Sequence, residues 1–420
     1  MIFLQSIFFM VNYKRHILDN GMVVLLNQDK TTPLVSFNIL YNAGSKYENE
    51  KKTGLAHLFE HLMFAGTEKA PDFDYFTQMA GGENNAFTNA DIVDFYITVP
   101  SENIETAFWL EADRMQNLVL DSNTFENEKR VVIEEFKETT LNIPYGDMWH
   151  HLSSLAYTIH PYKWPTIGKE IEHIENITLN DALEFYRKFY HPANAILALS
   201  GNFNIDEALN LAQKWFGGIE KPAFKPQTLP QEPVQSTLRK KIVHQQIPSN
   251  AVYLAFHVAG RLDLNYYTHD LLSDILGRGR SSRLFQNLVK KEEVFNEISA
   301  YISGNIDPGL LVIEGLIPDE IEYEFAIEKI REELSLLKKG EIKENELQKL
   351  KNKIENQMAF SEINILNKAM NLAQYDFLGD ASLINKQIQL YESVSLDKVI
   401  SEANNIFDEN NCIELVYLKN

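Results

Sequence analysis

An unbroken apolar run, Met22-Val23-Val24-Leu25-Leu26, follows the turn signal Asp19-Asn20-Gly21, and residues 12–28 predict a hairpin around that turn. Residues 34–44, LVSFNILYNAG, are rich in β-branched and aromatic side chains and predict a second strand. The period then changes. Leu55, Leu58, Phe59, Leu62, Met63 and Phe64 recur at helical spacing, predicting a largely buried helix ended by Gly66 and Thr67. Residues 72–82 predict a short helix stopped by Gly81-Gly82, and the next segment a strand closing at Pro100. Ser101 and the residues from Asp121 open two further helices. Residues 178–203 read as a capped helix, a turn and a strand, and 204–218 as another capped helix.

Pro222, Pro226, Pro230 and Pro233 stand in a polar context over 219–240, the clearest linker in the chain. Beyond it the outline repeats. AVYLAFHVAG (251–260) echoes VSFNILYNAG (35–44), and YTHDLLSDILG (267–277) echoes GLAHLFEHLMF (54–64). LVIEGLIP predicts a strand, helices fill 317–408, and CIELVYL closes the chain as a strand. The expected organisation is α+β: a domain over 11–218, the linker 219–240, and a second domain over 241–420, each an antiparallel sheet with helices on one face. Residues 1–10 are apolar but lack a basic segment and a cleavage site, so they read as a dispensable extension, with Met10 as an alternative start.

The 420 residues, 45% hydrophobic and 23% charged, suffice for two ordinary domains with large cores. The net charge of −20 excludes nonspecific nucleic-acid binding and argues against docking on anionic membrane. No apolar run is long enough to span a bilayer. Cys412 is the only cysteine, which excludes internal disulfides and multi-cysteine metal sites and suits a reducing, cytoplasmic compartment, the periplasm being the alternative.

Within the first buried helix, His57 and His61 lie four apart and share a face, a two-imidazole platform for zinc. Glu60 is placed to act as general base on a metal-bound water. H-x-x-E-H is the inverted zinc-peptidase order. The plain alternative is a helix surface. Further on, Phe125, Val132 and Phe136 define one buried direction of the helix after Asp121. Glu128 and Glu135 are seven apart, only ~20° around that helix, and fall between Val131 and Val132. Two carboxylates in an apolar stripe suggest a buried positive partner. In the second half Asp270, Ser273 and Asp274 stand where His57, Glu60 and His61 do, so that half would share the fold without a metal site.

These stretches resemble the insulysin–pitrilysin family of inverted-motif zinc peptidases, relatives of mitochondrial processing peptidase. The resemblance rests on the glycine before HLFEH, the LMFAGT after it, GGENNAFTNAD, and FENEKRVVIEEF. It implies one zinc per chain on His57, His61 and Glu135, with Glu60 as base and Glu128 as a supporting acid; Glu138 is the alternative ligand. It implies a zinc endopeptidase for unfolded peptides or small proteins, two homologous domains closing as a clamshell, and substrate added as a strand along Asn85, Ala86 and Phe87. One departure stands out. Val289 and Asn296 occupy positions where many relatives carry an arginine and a tyrosine that bind substrate and stabilise the oxyanion. Arg280, Arg283 or Tyr301 would have to replace them. The expected assembly is a homodimer, or a heterodimer with a related chain carrying the Arg-Tyr pair. A non-catalytic binding or assembly protein is the remaining alternative.

Overall fold

The computed structural model describes residues 10–222 and 227–420. The expected extension therefore lies outside the described residues except for Met10, as do residues 223–226 of the proline-rich stretch. Two compact units form, each discontinuous in sequence. One gathers the chain up to Val132 with Glu172–Gln227 and Glu355–Gln387, and the other Ile133–Ile171, Thr228–Ile354 and Ile388–Asn420.

The first unit holds a six-stranded sheet of β1 (Lys14–Ile17), β2 (Val23–Gln28), β3 (Leu34–Tyr41), β4 (Glu83–Thr88), β5 (Val93–Pro100) and β6 (Ala195–Gly201), in the order β1-β2-β6-β3-β5-β4. The second holds β7 (Arg239–Gln245), β8 (Asn250–Val258), β9 (Glu297–Ile302), β10 (Gly309–Ile317) and β11 (Cys412–Lys419), in the order β7-β11-β8-β10-β9. Apart from β1, the two orders coincide strand for strand. The expected repeat thus has a topological counterpart. The expected antiparallel pairing needs one correction in each sheet: β2–β6 and β7–β11 are parallel. In each, the last strand returns after a long helical crossover and inserts between two earlier ones, β6 between β2 and β3 and β11 between β7 and β8, and only such a crossover permits parallel pairing.

Helices α1 (Leu55–Leu62), α2 (Phe73–Met79), α3 (Ile104–Asn117) and α4 (Ser122–Phe136) follow β3 and β5. The expectation of helices on one face of each sheet is also corrected. On β3, Phe37 packs against Phe108 of α3 and Phe216 of the helix Ile205–Phe216. Leu40 points the opposite way, since side chains alternate along a strand. It joins Leu25 and Ala198 against Ala369, Leu372 and Ala373 of the helix Ile365–Phe377. The second sheet does the same. Phe256 of β8 meets Phe407, at the end of the helix Leu396–Ile406. Tyr253 points away from it and meets Tyr417, which also contacts His151 of the helix Met148–Ala156. Strands β3, β6, β8 and β11 are accordingly buried almost end to end. Each sheet is covered on one face by a helix from the other half of the sequence, so the division at 219–240 does not follow the packing.

Ion pairs fix the helix Ile365–Phe377 in place. Arg15 Nε bonds Asp376 Oδ1 at 2.6 Å, and the ammonium of Lys368 bonds the carboxylate of Asp29. Burial would raise the Asp29 carboxyl, but Lys368 and the Thr31 hydroxyl and amide hold it down to about 2. No helix among the described residues is long and apolar enough to cross a membrane.

Two outcomes follow from this packing. Residues 1–222 and 227–420 expressed separately should each aggregate or bind hydrophobic dye, and co-expression should return a soluble complex. Two fragments that fold independently would refute the exchange of helices. A depressed carboxyl stabilises above its unfolded pKa and loses that contribution as pH falls through its folded value. The Asp29 pair should therefore contribute about 2 kcal/mol near neutrality, lost between roughly pH 4 and pH 2. Acid unfolding of Lys368→Met should lack that component.

Candidate metal centre

Helix α1 opens at Gly54, whose φ of 91° suits glycine and whose missing side chain cannot cap the helix. Glu48, only 8% exposed, supplies the cap from outside. Its carboxylate accepts hydrogen bonds from the Gly54 N–H (3.1 Å) and the Ala56 N–H (2.7 Å). That satisfies two otherwise orphaned donors and sets a negative charge at the positive helix end. Leu55, Leu58, Phe59 and Leu62 form the buried face. Phe59 lies against Phe185, Tyr186 and Tyr190. With that face turned inward, His57, Glu60 and His61 emerge half-buried.

Helix α4 starts where Asp121 accepts from the Asn123 and Thr124 N–H groups, both at 2.8 Å. Phe125, Val132 and Phe136 are buried as expected. Val131, however, is 49% exposed, and Glu128 and Glu135 are half-buried. The apolar stripe is narrower than angular sorting allows, so both carboxylates remain accessible. A π-helical turn, Lys137–Leu141, follows directly, and the Thr139 hydroxyl donates to the Glu135 carbonyl at 2.8 Å.

The two helices converge. One ligand atom from each of His57, His61 and Glu135 lies within 4.8 Å of the others, the single such group of His, Cys, Asp and Glu among the described residues. Glu138 is exposed and outside it. Burial first, then the neighbouring His61, pushes His57 down to about 4, so its imidazole is neutral near pH 7, the form that binds metal. Two imidazoles and a carboxylate with room for a further ligand are the donor set of a catalytic zinc. Glu128 Oε2 lies 3.6 Å from His61 Nδ1, the kind of outer contact that orients a ligating imidazole. The Thr88 hydroxyl, at the end of β4, donates to Glu60 Oε2 at 2.5 Å. Burial keeps the nearby Tyr190 phenol far above its usual pKa, with the Glu60 charge adding to it, so a neutral phenol backs the carboxylate.

Asn85, Ala86 and Phe87 lie on β4, the outermost strand of its sheet. Asn85 is exposed, and its Oδ1 accepts the Ala86 N–H at 2.8 Å. Phe87 packs toward the core cluster under the helix Ile365–Phe377. In the second unit Val289 is half-buried in the π-helical segment Phe285–Lys291, and Asn296 is exposed. Arg283 is engaged: its Nε bonds Glu346 Oε1 at 2.7 Å, and it also reaches the Glu341 carbonyl. Tyr301 lies 3.4 Å from Glu314 Oε2 and beside Trp149, whereas Arg280 is exposed. Sequence reasoning missed Glu48 and Thr88. Nothing in the sequence separates Glu48 from the neighbouring Glu50, while Thr88 directly follows the NNAF run already singled out.

Comparison with known proteins identifies the family. Residues 23–170 match the family model described as Insulinase (Peptidase family M16), and residues 176–354 that described as Peptidase M16 inactive domain. The chain is 33% identical to the zinc protease PqqE of Helicobacter pylori over 341 residues, 80% of this chain and 76% of that protein. It is 30% identical to the mitochondrial-processing peptidase subunit beta of Bos taurus over 202 residues, 48% of this chain and 41% of that one. The crystal structure of a protease from Helicobacter pylori superposes with a TM-score of 0.92 at 28% identity, covering 97% of this chain and 100% of that one. The chain belongs to the insulinase-like peptidase family M16.

Proposed function

We propose that this chain is a zinc-dependent endopeptidase acting on unfolded peptides or small proteins. The observation that carries this reading is the convergence of His57, His61 and Glu135, with the carboxylate of Glu60 beside them on α1. His57, His61 and Glu135 would hold one zinc, and Glu128 would orient His61. Zinc bound there supplies a Lewis acid for the scissile carbonyl and for the attacking water. Glu60 takes a proton from that water and returns it to the leaving amine. An extended substrate pairs with the open side of β4, where Asn85 must release the Ala86 N–H to admit it and Ala86 and Phe87 lie along the peptide. A cytoplasmic location completes this reading, resting on the single, buried Cys412; the periplasm is the alternative.

A second reading has a specific observation in its favour. Arg283 is committed to Glu346 and Glu341, and Val289 and Asn296 supply neither an arginine nor a tyrosine. The zinc-bearing chain would then require a related partner that brings the Arg-Tyr pair.

Purified chain should carry one zinc by elemental analysis and cleave a quenched fluorescent peptide. Glu60→Gln should keep the zinc and lose about 10²-fold or more of the rate. Zinc without cleavage would favour the partner reading, and absence of zinc would end the peptidase reading. Glu48→Ala should cost about 2 kcal/mol of stability and speed amide exchange along α1. Exchange unchanged along α1 would show that the helix does not depend on this cap.

A further inference from the structure

We propose that Thr88 is a positioning residue for the base. Its hydroxyl ties Glu60 to β4, so that seating a peptide backbone on this strand also sets the carboxylate that activates water. The inference rests on the peptidase reading above and goes beyond it, because it joins substrate recognition to base alignment through one hydrogen bond.

The contact belongs to a closed frame. Thr88 is the last residue of β4 and pairs in register with Val93 of β5. The turn between them is closed by hydrogen bonds: Asn89 Oδ1 accepts the Asp91 N–H (2.7 Å) and the Ile92 N–H (2.9 Å), and the Asn89 N–H bonds the Ile92 carbonyl at 3.0 Å. This turn is fastened to the segment leading into α1. The Ser45 and Lys46 amides bond the Asn89 (3.2 Å) and Ala90 (3.0 Å) carbonyls, and the buried Lys46 ammonium bonds Asp91 at 2.8 Å. At Gly44 the approach is so close that a Cβ would lie 2.4 Å from the Ala90 carbonyl oxygen. Two residues beyond Lys46, Glu48 caps α1, and α1 carries Glu60 back to Thr88. The path Thr88, turn, Lys46, Glu48, α1, Glu60 therefore closes on itself.

Two consequences follow from the chemistry. A hydroxyl donating to one oxygen of a half-buried carboxylate restricts its rotation. Threonine is stiff at χ1, so the direction of the hydroxyl follows the backbone of β4. On the other side of Thr88, residues 83–87 form the open sheet edge, paired only with β5. Ordering that edge by an added strand orders Thr88, and through it Glu60. A peptide that fails to extend along β4 would leave the base less well aligned.

The test uses the full-length chain with Thr88→Val, which keeps the shape and removes the donor, and Thr88→Ser, which keeps the donor. Thr88→Val should bind one zinc with wild-type affinity and leave KM for the quenched peptide unchanged, while kcat falls about ten- to a hundredfold. Thr88→Ser should recover most of the loss. Hydrogen exchange is then followed on metal-free protein with the same peptide, which stays intact. In the wild type, protection should extend from β4 into α1; in Thr88→Val it should stop at β4. Wild-type kcat in Thr88→Val, a loss of zinc, a change in KM alone, no rescue by serine, or identical α1 protection in both proteins would each overturn the proposal. Were the wild type to hold zinc and cleave nothing, autonomous activity would fail and the partner reading would stand, and the exchange measurement would still decide whether β4 and Glu60 are coupled.

Discussion

The fold depends on covering two sheets that are apolar on both faces. A sheet buried on one side needs one layer of helices, and a chain can supply that locally. Strands such as β3 and β11, buried over nearly their whole length, need two. The second layer comes from far along the chain: Ala369, Leu372 and Ala373 close the face of β3 bearing Leu40, and the helix Met148–Ala156 lies by the Tyr253 face of β8. This reciprocal exchange holds the long crossovers in place. It also accounts for why the strand order repeats so closely, since both halves solve the same covering problem with the same topology.

On that scaffold the metal centre needs only two helices with correct rotation. α1 is short, with eight residues, and has little intrinsic stability of its own. Its register is set by tertiary contacts: the Phe59 aromatic cluster below, the Glu48 carboxylate at its start, and Thr88 at Glu60. α4 is longer and carries its own Asp121 cap, so Glu135 needs fewer outside supports. The burden of precision falls on the helix that carries His57, Glu60 and His61.

Much of this was legible in the sequence. Period and turn chemistry gave the first hairpin, β3, α1 and the capped helices, because these features are local. The 20° separation of Glu128 and Glu135 singled out that pair without any long-range information, although the half-exposed Val131 shows that the apolar sector was drawn too wide. What could not be read was non-local. The parallel pairing of β2 with β6 has no signature in either strand. The helix Ile365–Phe377 looks like any amphipathic helix until its partner sheet is known. β7 and β9, edge strands with many polar positions, gave no alternation strong enough to register. Glu48 acts across a loop, and its role is a matter of where the chain returns.

The matching helix of the second half forms no comparable group of His, Cys, Asp and Glu among the described residues. Tyr266–Gly277 occupies, between β8 and β9, the place that α1 holds between β3 and β4. At the positions of the two histidines stand Asp270 and Asp274, four apart on that helix. Burial raises both carboxyls, and the Tyr391 hydroxyl at Asp270 and Arg278 at both offset only part of that rise. Arg278 reaches Asp274 Oδ1 at 3.2 Å, and the Tyr391 hydroxyl donates to Asp270 at 2.5 Å. The charges of that half are answered from within. In α1 the corresponding residues are two imidazoles, that of His57 pushed down to about 4, which meet a carboxylate from another helix. One scaffold therefore carries two electrostatic arrangements. A carboxylate pair beside the cation at the end of its own helix already has a positive neighbour, whereas an imidazole pair with one added carboxylate has the donor types that could take up a cation from outside.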